Sequence, residues 1–433
     1  MTIKKEAANP VRRQLIQSAA ALALGGLWMP SVRAASRSTF RIGFVSPQSG
    51  PLAMFSEPDQ FVMEQVKRSI GTGIRIDGNL YPVEIFYKDS ESNPQRAAEA
   101  ARELIVNDQV DLVLASATPA TTNPVADECE HLGVPCLTND TPWQGHFFGR
   151  GGDPAKGFRW TYHFCWGIED VVQSWSNLWQ QIDSNRRIGV LWPDDADGNV
   201  WADGKLGFPP VLQKAGFQIV DPGRFRSDAD FAGMVDLFKR QEVDIITGVV
   251  PPPDFQRFWK LAREQKLDPR IVTVGKASEF PAALLPFRAG ANGLSVEVWW
   301  SPAHPFISGL TGQRSADLAR EYMDTTGRNW TMPLGFKHAL FEVAIDALRR
   351  SQGPGQLDSI RDAIAKTRYQ SVVGAVDFST GPVPNVSKTP LVCGQWEYRY
   401  RNLELLIVEN SLEPTIPLQA RLRPMRVLPR SNA

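Results

Sequence analysis

The chain has 433 residues, with 47 basic and 47 acidic side chains in balance, which argues against nucleic acid or an anionic membrane surface as its partner. A hydrophobic content of 42% supplies a large core, and a chain of this length predicts two domains instead of one.

The first feature in chain order is "RRQLIQSAAALALGGLWMP", residues 12–30. A helix spanning a bilayer needs about 20 predominantly apolar residues. Here Gln17, Ser18, Gly25, Gly26 and Pro30 interrupt the run. Lys4, Lys5, Arg12 and Arg13 precede it, and Val32-Arg33-Ala34 offers a small-residue cleavage site. The pattern predicts a signal peptide over residues 1–34, cut after about Ala34, and so a protein exported to the periplasm. Arg12-Arg13 followed by Gln14 and Leu15 matches a twin-arginine signal. Export would place the four cysteines in an oxidising compartment. Cys129 on a predicted helix and Cys136 on the next strand face each other as a candidate pair, with Cys165 and Cys393 left open. The alternative is four buried apolar side chains.

Strands and helices then alternate. "RIGFV" (41–45) is a fully apolar strand leading into "SPQSGP". "VEIFY" follows, and then "SNPQRAAEAARELI", with Asn93 as helix cap and Pro94 in the first turn. "DLVLA" is a third strand; Asn123-Pro124 is read as starting the next helix and Gly133 as ending it; "VPCLT" is a fourth strand. The programme repeats from "RIGVLW" (187–192), through "DIITGVV", the helix "PDFQRFWKLAREQ" and "RIVTVG". Two such series predict an α/β protein of two doubly wound lobes built from right-handed βαβ units. Ligands of such sheets bind outside the carboxyl ends of the strands. Helices are predicted over 315–326 and 335–350, then a tail of short strands from "VVGAVDFS".

Catalytic signatures are missing. "GTGIRIDG" follows a helix and lacks dinucleotide-loop spacing, "GGDPAKG" has no GK[ST], and neither GxSxG nor HExxH occurs. The five histidines lack metal-ligand spacing, and "PDDAD" (193–197) lacks that of a calcium loop. The expectation is a protein with no catalytic residues, no metal and no cofactor.

"RIGFVSPQSGPLAMFS", "YKDSESNPQRAAEAARELI", "LASATPATTNPVADECEHLGVP", "RIGVLWPDDADG" and "DFAGMVDLFKRQEVDIITG" resemble, in order and spacing, the type I periplasmic substrate-binding proteins of the leucine/isoleucine/valine-binding branch. The resemblance runs from about Arg41 to Trp396. It implies two α/β lobes joined by three crossings, closing on a small molecule that is passed to an ABC permease in the inner membrane, with the protein itself a monomer. Lobe one would comprise 38–163 and 303–372, and lobe two 164–302 and 373–433. The crossings would fall near Tyr162–Gly167, Val298–Pro302 and Val372–Phe378. A stand-alone ligand sensor that signals to a partner protein is the alternative function.

The resemblance also implies a pocket. Phe55 lines the cleft after the first strand. Ala117 to Thr122 offers amides and the hydroxyls of Thr118 and Thr121, unless one of these only caps the helix. Thr141 and Trp143 follow the fourth strand. Where amino-acid binders place Tyr and an acid on the second lobe, this chain has Asp197 and Ala277, the latter beside Lys276. Lys276 would clamp an anion, or Asp197 would supply the negative charge. Trp166, grouped with Trp143, Trp299 and Trp300 near the crossings, suggests an aromatic or apolar ligand body. The ligand's polar end would be a carboxylate, an amide or an amino-acid-like group.

Overall fold

A computed structural model describes residues 38–425; the predicted leader, with Arg12 and Arg13, lies outside them. The described strands form two principal sheets.

The first series gives β1 (Phe40–Ser46), β2 (Val83–Asp89), β3 (Leu112–Ser116), β4 (Cys136–Asn139) and β5 (Thr161–Phe164). The second gives β6 (Arg187–Pro193), β7 (Gln218–Val220), β8 (Arg224–Phe225), β9 (Ile245–Val250), β10 (Ile271–Lys276) and β11 (Leu294–Val298). The tail adds β12 (Val386–Ser387), β13 (Val392–Arg399) and β14 (Asn402–Glu409).

The first sheet has the order β12-β5-β4-β3-β1-β2, all parallel. The second runs β8-β6-β9-β10-β11-β13-β14, with β7 also beside β6. Only the two pairings of β13, with β11 and with β14, are antiparallel there. In the first sheet β1 lies between β3 and β2, and in the second β6 lies between β9 on one side and β7 and β8 on the other. The order therefore reverses beside β1 and beside β6, and each reversal opens a crevice at the strand carboxyl ends. The chain leaves the first sheet after β5, returns after β11 and enters the second again between Ser387 and Val392.

The helices that position the site are α1 (Asp59–Ile70), α2 (Pro94–Val106), α3 (Pro119–Leu132), α4 (Ala196–Trp201) and α5 (Met332–Arg349). Asn93 caps α2 as its sequence predicts, accepting from the Arg96 amide at 3.0 Å. The predicted start of α3 is corrected. It begins at Pro119, with Pro124 inside it. A proline fits the first turn, where its missing N–H has no partner to lose, and Pro119 takes that role five residues earlier. Gly133 ends α3 in the left-handed conformation, φ 72°. All four cysteines are buried thiols, and Cys129 and Cys136 do touch, in the apolar layer between α3 and the first sheet.

No described helix is long and apolar enough to cross a membrane. Nearly every side chain of α5 is buried, including Lys337, His338 and Glu342. Gly335 on α5 lies against the Trp300 ring, and a Cβ there would overlap it. Glycine to alanine inside a helix ordinarily gains up to about 1 kcal/mol. Here the sign should reverse. Gly335→Ala is expected to lower the denaturant midpoint, costing about 1–3 kcal/mol by overpacking; a gain in stability would contradict this packing.

Candidate functional site

The carboxyl ends of both sheets meet at one cavity. From the first sheet come Phe55 after β1, Thr118 after β3, Asp140 and Pro142 after β4, and Trp166 after β5. From the second come Asp197 and Trp201 after β6, Val249 at the end of β9, Lys276 and Glu279 at β10, and Trp299 after β11. The free space is about 20 Å³. One water needs roughly 10–15 Å³ on that measure, so a larger guest requires the walls to part. Phe55 spans the gap, packing edge-on against Phe280 of the opposite wall with ring centroids 4.8 Å apart.

Three of these strand ends carry strained backbone. Ala117 (φ 132°), Asp140 (φ 61°) and Lys276 (φ 60°) all take positive φ without being glycine. Such conformations cost about 1–3 kcal/mol each and persist where the surroundings hold them, often at functional sites.

On the second-sheet wall, Lys276 Nζ makes a very short ion pair with Asp197 and lies 3.7 Å from Asp195. Asp195 also caps α4, accepting from the Gly198 amide at 2.8 Å. Burial opposes charge on Lys276, yet Asp197 and Asp195 raise its pKa overall. Asp197 is itself pushed up by burial, with Lys276 pulling it back down. The Lys276 amide donates to Glu279 Oε1 at 2.9 Å, so a short turn folds Glu279 over the end of β10.

The first-sheet wall repeats the arrangement with a different lysine. Lys337 Nζ, fully buried, lies 3.5 Å from Asp59 Oδ1 and 4.0 Å from Asp140 Oδ2, and it donates to Ser46 Oγ at 2.9 Å. Tyr87 donates to Asp59 Oδ2 at 2.7 Å, and Ser116 donates to Asp140 through a very short bond. Burial lifts Asp140 to about 7, while Lys337 lowers it.

Several buried polar atoms of the lining residues have no protein partner: Thr118 Oγ1, Asp140 Oδ1, Trp166 Nε1, Glu279 Oε2 and Trp299 Nε1. An unpaired buried donor or acceptor costs about 1–3 kcal/mol. Three donors and two acceptors between aromatic faces suit a small molecule with an apolar body and a few polar groups.

Of the residues singled out in the sequence, Phe55, Thr118, Trp166, Asp197 and Lys276 line the cavity. Ala117 precedes Thr118 on the strained turn. Thr121, Thr141 and Trp143 are not lining residues. The Thr121 hydroxyl turns back to the Thr118 carbonyl at 3.4 Å, inside the first turn of α3. The Thr141 carbonyl accepts from His163 Nε2 at 2.8 Å, and its hydroxyl is buried away from the cavity lining. Trp143 packs on Phe148 and donates to Glu169 Oε1 at 3.1 Å, outside the cleft. Lys276 and Asp197, expected as alternatives for reading the ligand, are committed to each other. Asp140, Trp201, Val249 and Glu279 were missed. Glu279 had a signal, since it is the acid that follows the "VGKAS" stretch three positions beyond Lys276.

The model of the family described as "Periplasmic binding protein" matches residues 39–386. The chain belongs to that family. Its fold is that of the type I periplasmic binding proteins, two α/β units with largely parallel sheets. Among solved structures, a leucine-binding protein from Thermotoga maritima is 17% identical, with 86% of this chain and 99% of that one covered at a TM-score of 0.68. A solute-binding protein of an ABC transporter from Rhodopseudomonas palustris, in complex with 3,4-dihydroxybenzoic acid, is 18% identical over 86% and 97% at a TM-score of 0.70. A branched-chain amino acid transporter binding protein from Streptococcus pneumoniae, in complex with isoleucine, is 17% identical over 85% and 99% at 0.69.

The ion pair in this binding protein yields a direct test. Removing one partner of a buried pair typically costs about 3–5 kcal/mol, because the other charge is stranded. Lys276→Met should lose stability on that scale in urea unfolding at neutral pH, and Lys276→Met with Asp197→Leu should recover most of it. A single variant as stable as the wild type would show that the pair carries no charge.

Proposed function

We propose that the protein is the solute-binding component of an ABC importer. It captures a small organic molecule between its two lobes in the periplasm, as a monomer without catalysis, and delivers it to a membrane permease. The observation that carries this reading is the meeting of strand carboxyl ends from both sheets around unpartnered donors, acceptors and aromatic faces. Export follows from the signal peptide read over residues 1–34. The moving bodies are 38–163 with 303–372, and 164–302 with 373–433.

Amides at the start of α3, beside Thr118, suit a carboxylate or amide end of the solute. Its body lies against Phe55, Trp166, Trp201 and Trp299. Two structural neighbours carry isoleucine and 3,4-dihydroxybenzoic acid, ligands of that size. With Lys276 held by Asp197, no free lysine remains on the second wall to clamp an anion there. Specificity on that wall comes from Glu279 and Trp299.

A thermal-shift screen of amino acids, amides and aromatic acids tests the reading. A ligand at 100 times its Kd adds about 2.7 kcal/mol to stability, so a true solute should raise Tm clearly. Phe55→Ala should weaken its binding by roughly tenfold, given that a lost aromatic pair costs about 0.5–1.5 kcal/mol beyond its area. Uptake should fail in a deletion strain. Turnover of the solute by the purified protein, or normal uptake in that strain, would contradict the reading.

A further inference from the structure

Asp140 and Pro142 reach the cleft from the turn that follows β4. On one side of that turn Asn139 Nδ2 donates to the Phe336 carbonyl at 2.8 Å; on the other the Trp143 amide donates to the Trp166 carbonyl at 3.1 Å. Between them the Thr141 carbonyl accepts from His163 Nε2 at 2.8 Å. His163 stands on β5, and its ring stacks on that of His146, with centroids 4.3 Å apart and planes 11° from parallel. Both rings are buried. Thr138 Oγ1 lies 2.7 Å from His163 Nδ1 and 3.4 Å from His146 Nδ1. His146 Nε2 lies 3.1 Å from Arg150 Nη1. The Arg150 side chain is itself buried, and its Nε donates to Asp127 Oδ1 on α3 at 2.6 Å.

The two ends of this chain of contacts decide every proton within it. A carbonyl cannot donate, so His163 carries a hydrogen on Nε2. A guanidinium cannot accept, so His146 Nε2 is bare, and the hydrogen that an imidazole must keep sits on Nδ1, facing Thr138. The Thr138 hydroxyl then donates to His163 Nδ1, a better-placed acceptor at 2.7 Å than the Tyr162 carbonyl at 3.5 Å. We infer that Arg150, His146, Thr138 and His163 form a one-way relay of hydrogen bonds through two neutral imidazoles, ending at the Thr141 carbonyl, with His163 as the positioning residue for the Asp140–Pro142 turn. Burial is the main reason that both rings stay neutral, pushing His163 down to about 3 and His146 well below the ordinary imidazole range. The charged or titratable groups facing the pair are Arg150, which adds to that effect, and beyond it Asp127 and Cys129 of α3. On the reading of this cleft as a solute site, the relay sets where Asp140 Oδ1, an acceptor without a protein partner, meets the guest.

Nitrogen-15 imidazole spectra of the solute-free protein read these protons directly. At pH 7 and again at pH 5, His163 should carry its hydrogen on Nε2 and His146 on Nδ1, with neither ring doubly protonated. Amide hydrogen exchange reads the positioning. His163→Leu removes the donor to Thr141, so exchange of the Trp143 amide should quicken by about tenfold, the factor that one ordinary hydrogen bond implies, while amides of β1 and β3 keep their rates. His163→Gln offers an N–H to the same carbonyl and should restore slow exchange, whereas a ring that only fills space would be replaced no better by Gln than by Leu. A hydrogen on His146 Nε2, a ring that gains a second proton by pH 5, or exchange that quickens evenly across the first sheet overturns the relay. No solute enters either measurement, so their failure leaves the transport reading untouched.

Discussion

Each wall of the cleft gathers acids around a single buried lysine. Lys276 holds Asp197 and Asp195 on the second sheet; Lys337 holds Asp59 and Asp140 on the first. On the first wall the cost of that burial is offset by hydrogen bonds that Tyr87 and Ser116 donate to the acids and that Lys337 donates to Ser46 Oγ. The lysines fix loops that would otherwise be free. Asp140 and Lys276 both stand in positive φ, and the ion pairs tether the side chains that those conformations aim at the cleft.

The fold explains why charges collect there. Parallel strands point their carboxyl ends the same way, so the loops that follow β1, β3, β4 and β5 share one edge, and those after β6, β9, β10 and β11 share another. Buried apolar strands leave the polar chemistry to these loops. Lys337 is the exception, reaching the same edge from the interior of α5, which packs along the first sheet.

Much of this was legible in sequence, for physical reasons. "RIGFV" and "RIGVLW" are apolar runs too short for buried helices and are followed by loops, so both series of strands could be read, as could the edge where ligands bind. Phe55 and Thr118 came from the family resemblance, and Trp166 from the grouping of tryptophans near the crossings. Asp140 did not, because its positive φ turns the chain so that it, and not Thr141 or Trp143, reaches the cavity; no local pattern announces that turn. Glu279 was displaced from Ala277 by one short helical turn. The pairing of Lys276 with Asp197 needed three-dimensional proximity between residues 79 positions apart, given that each had been read as a free charge. Lys337 had a visible signal, a lone lysine within "MPLGFKHALFEVAIDALR", whose otherwise apolar surroundings imply a buried partner.

The central claim is that solute is enclosed by closure of the two sheets at the Phe55–Phe280 contact. A Phe55→Cys/Phe280→Cys variant places two thiols on opposite walls, and oxidation in the presence of a short dithiol, which bridges the space the two rings leave, should lock the cleft. Binding kinetics of the solute identified by thermal shift, measured with the variant oxidised and then reduced, give the most direct test. Enclosure predicts that oxidation before solute is added abolishes binding, that oxidation afterwards traps it, and that reduction restores exchange. Unchanged association and dissociation rates in the oxidised protein would contradict the account.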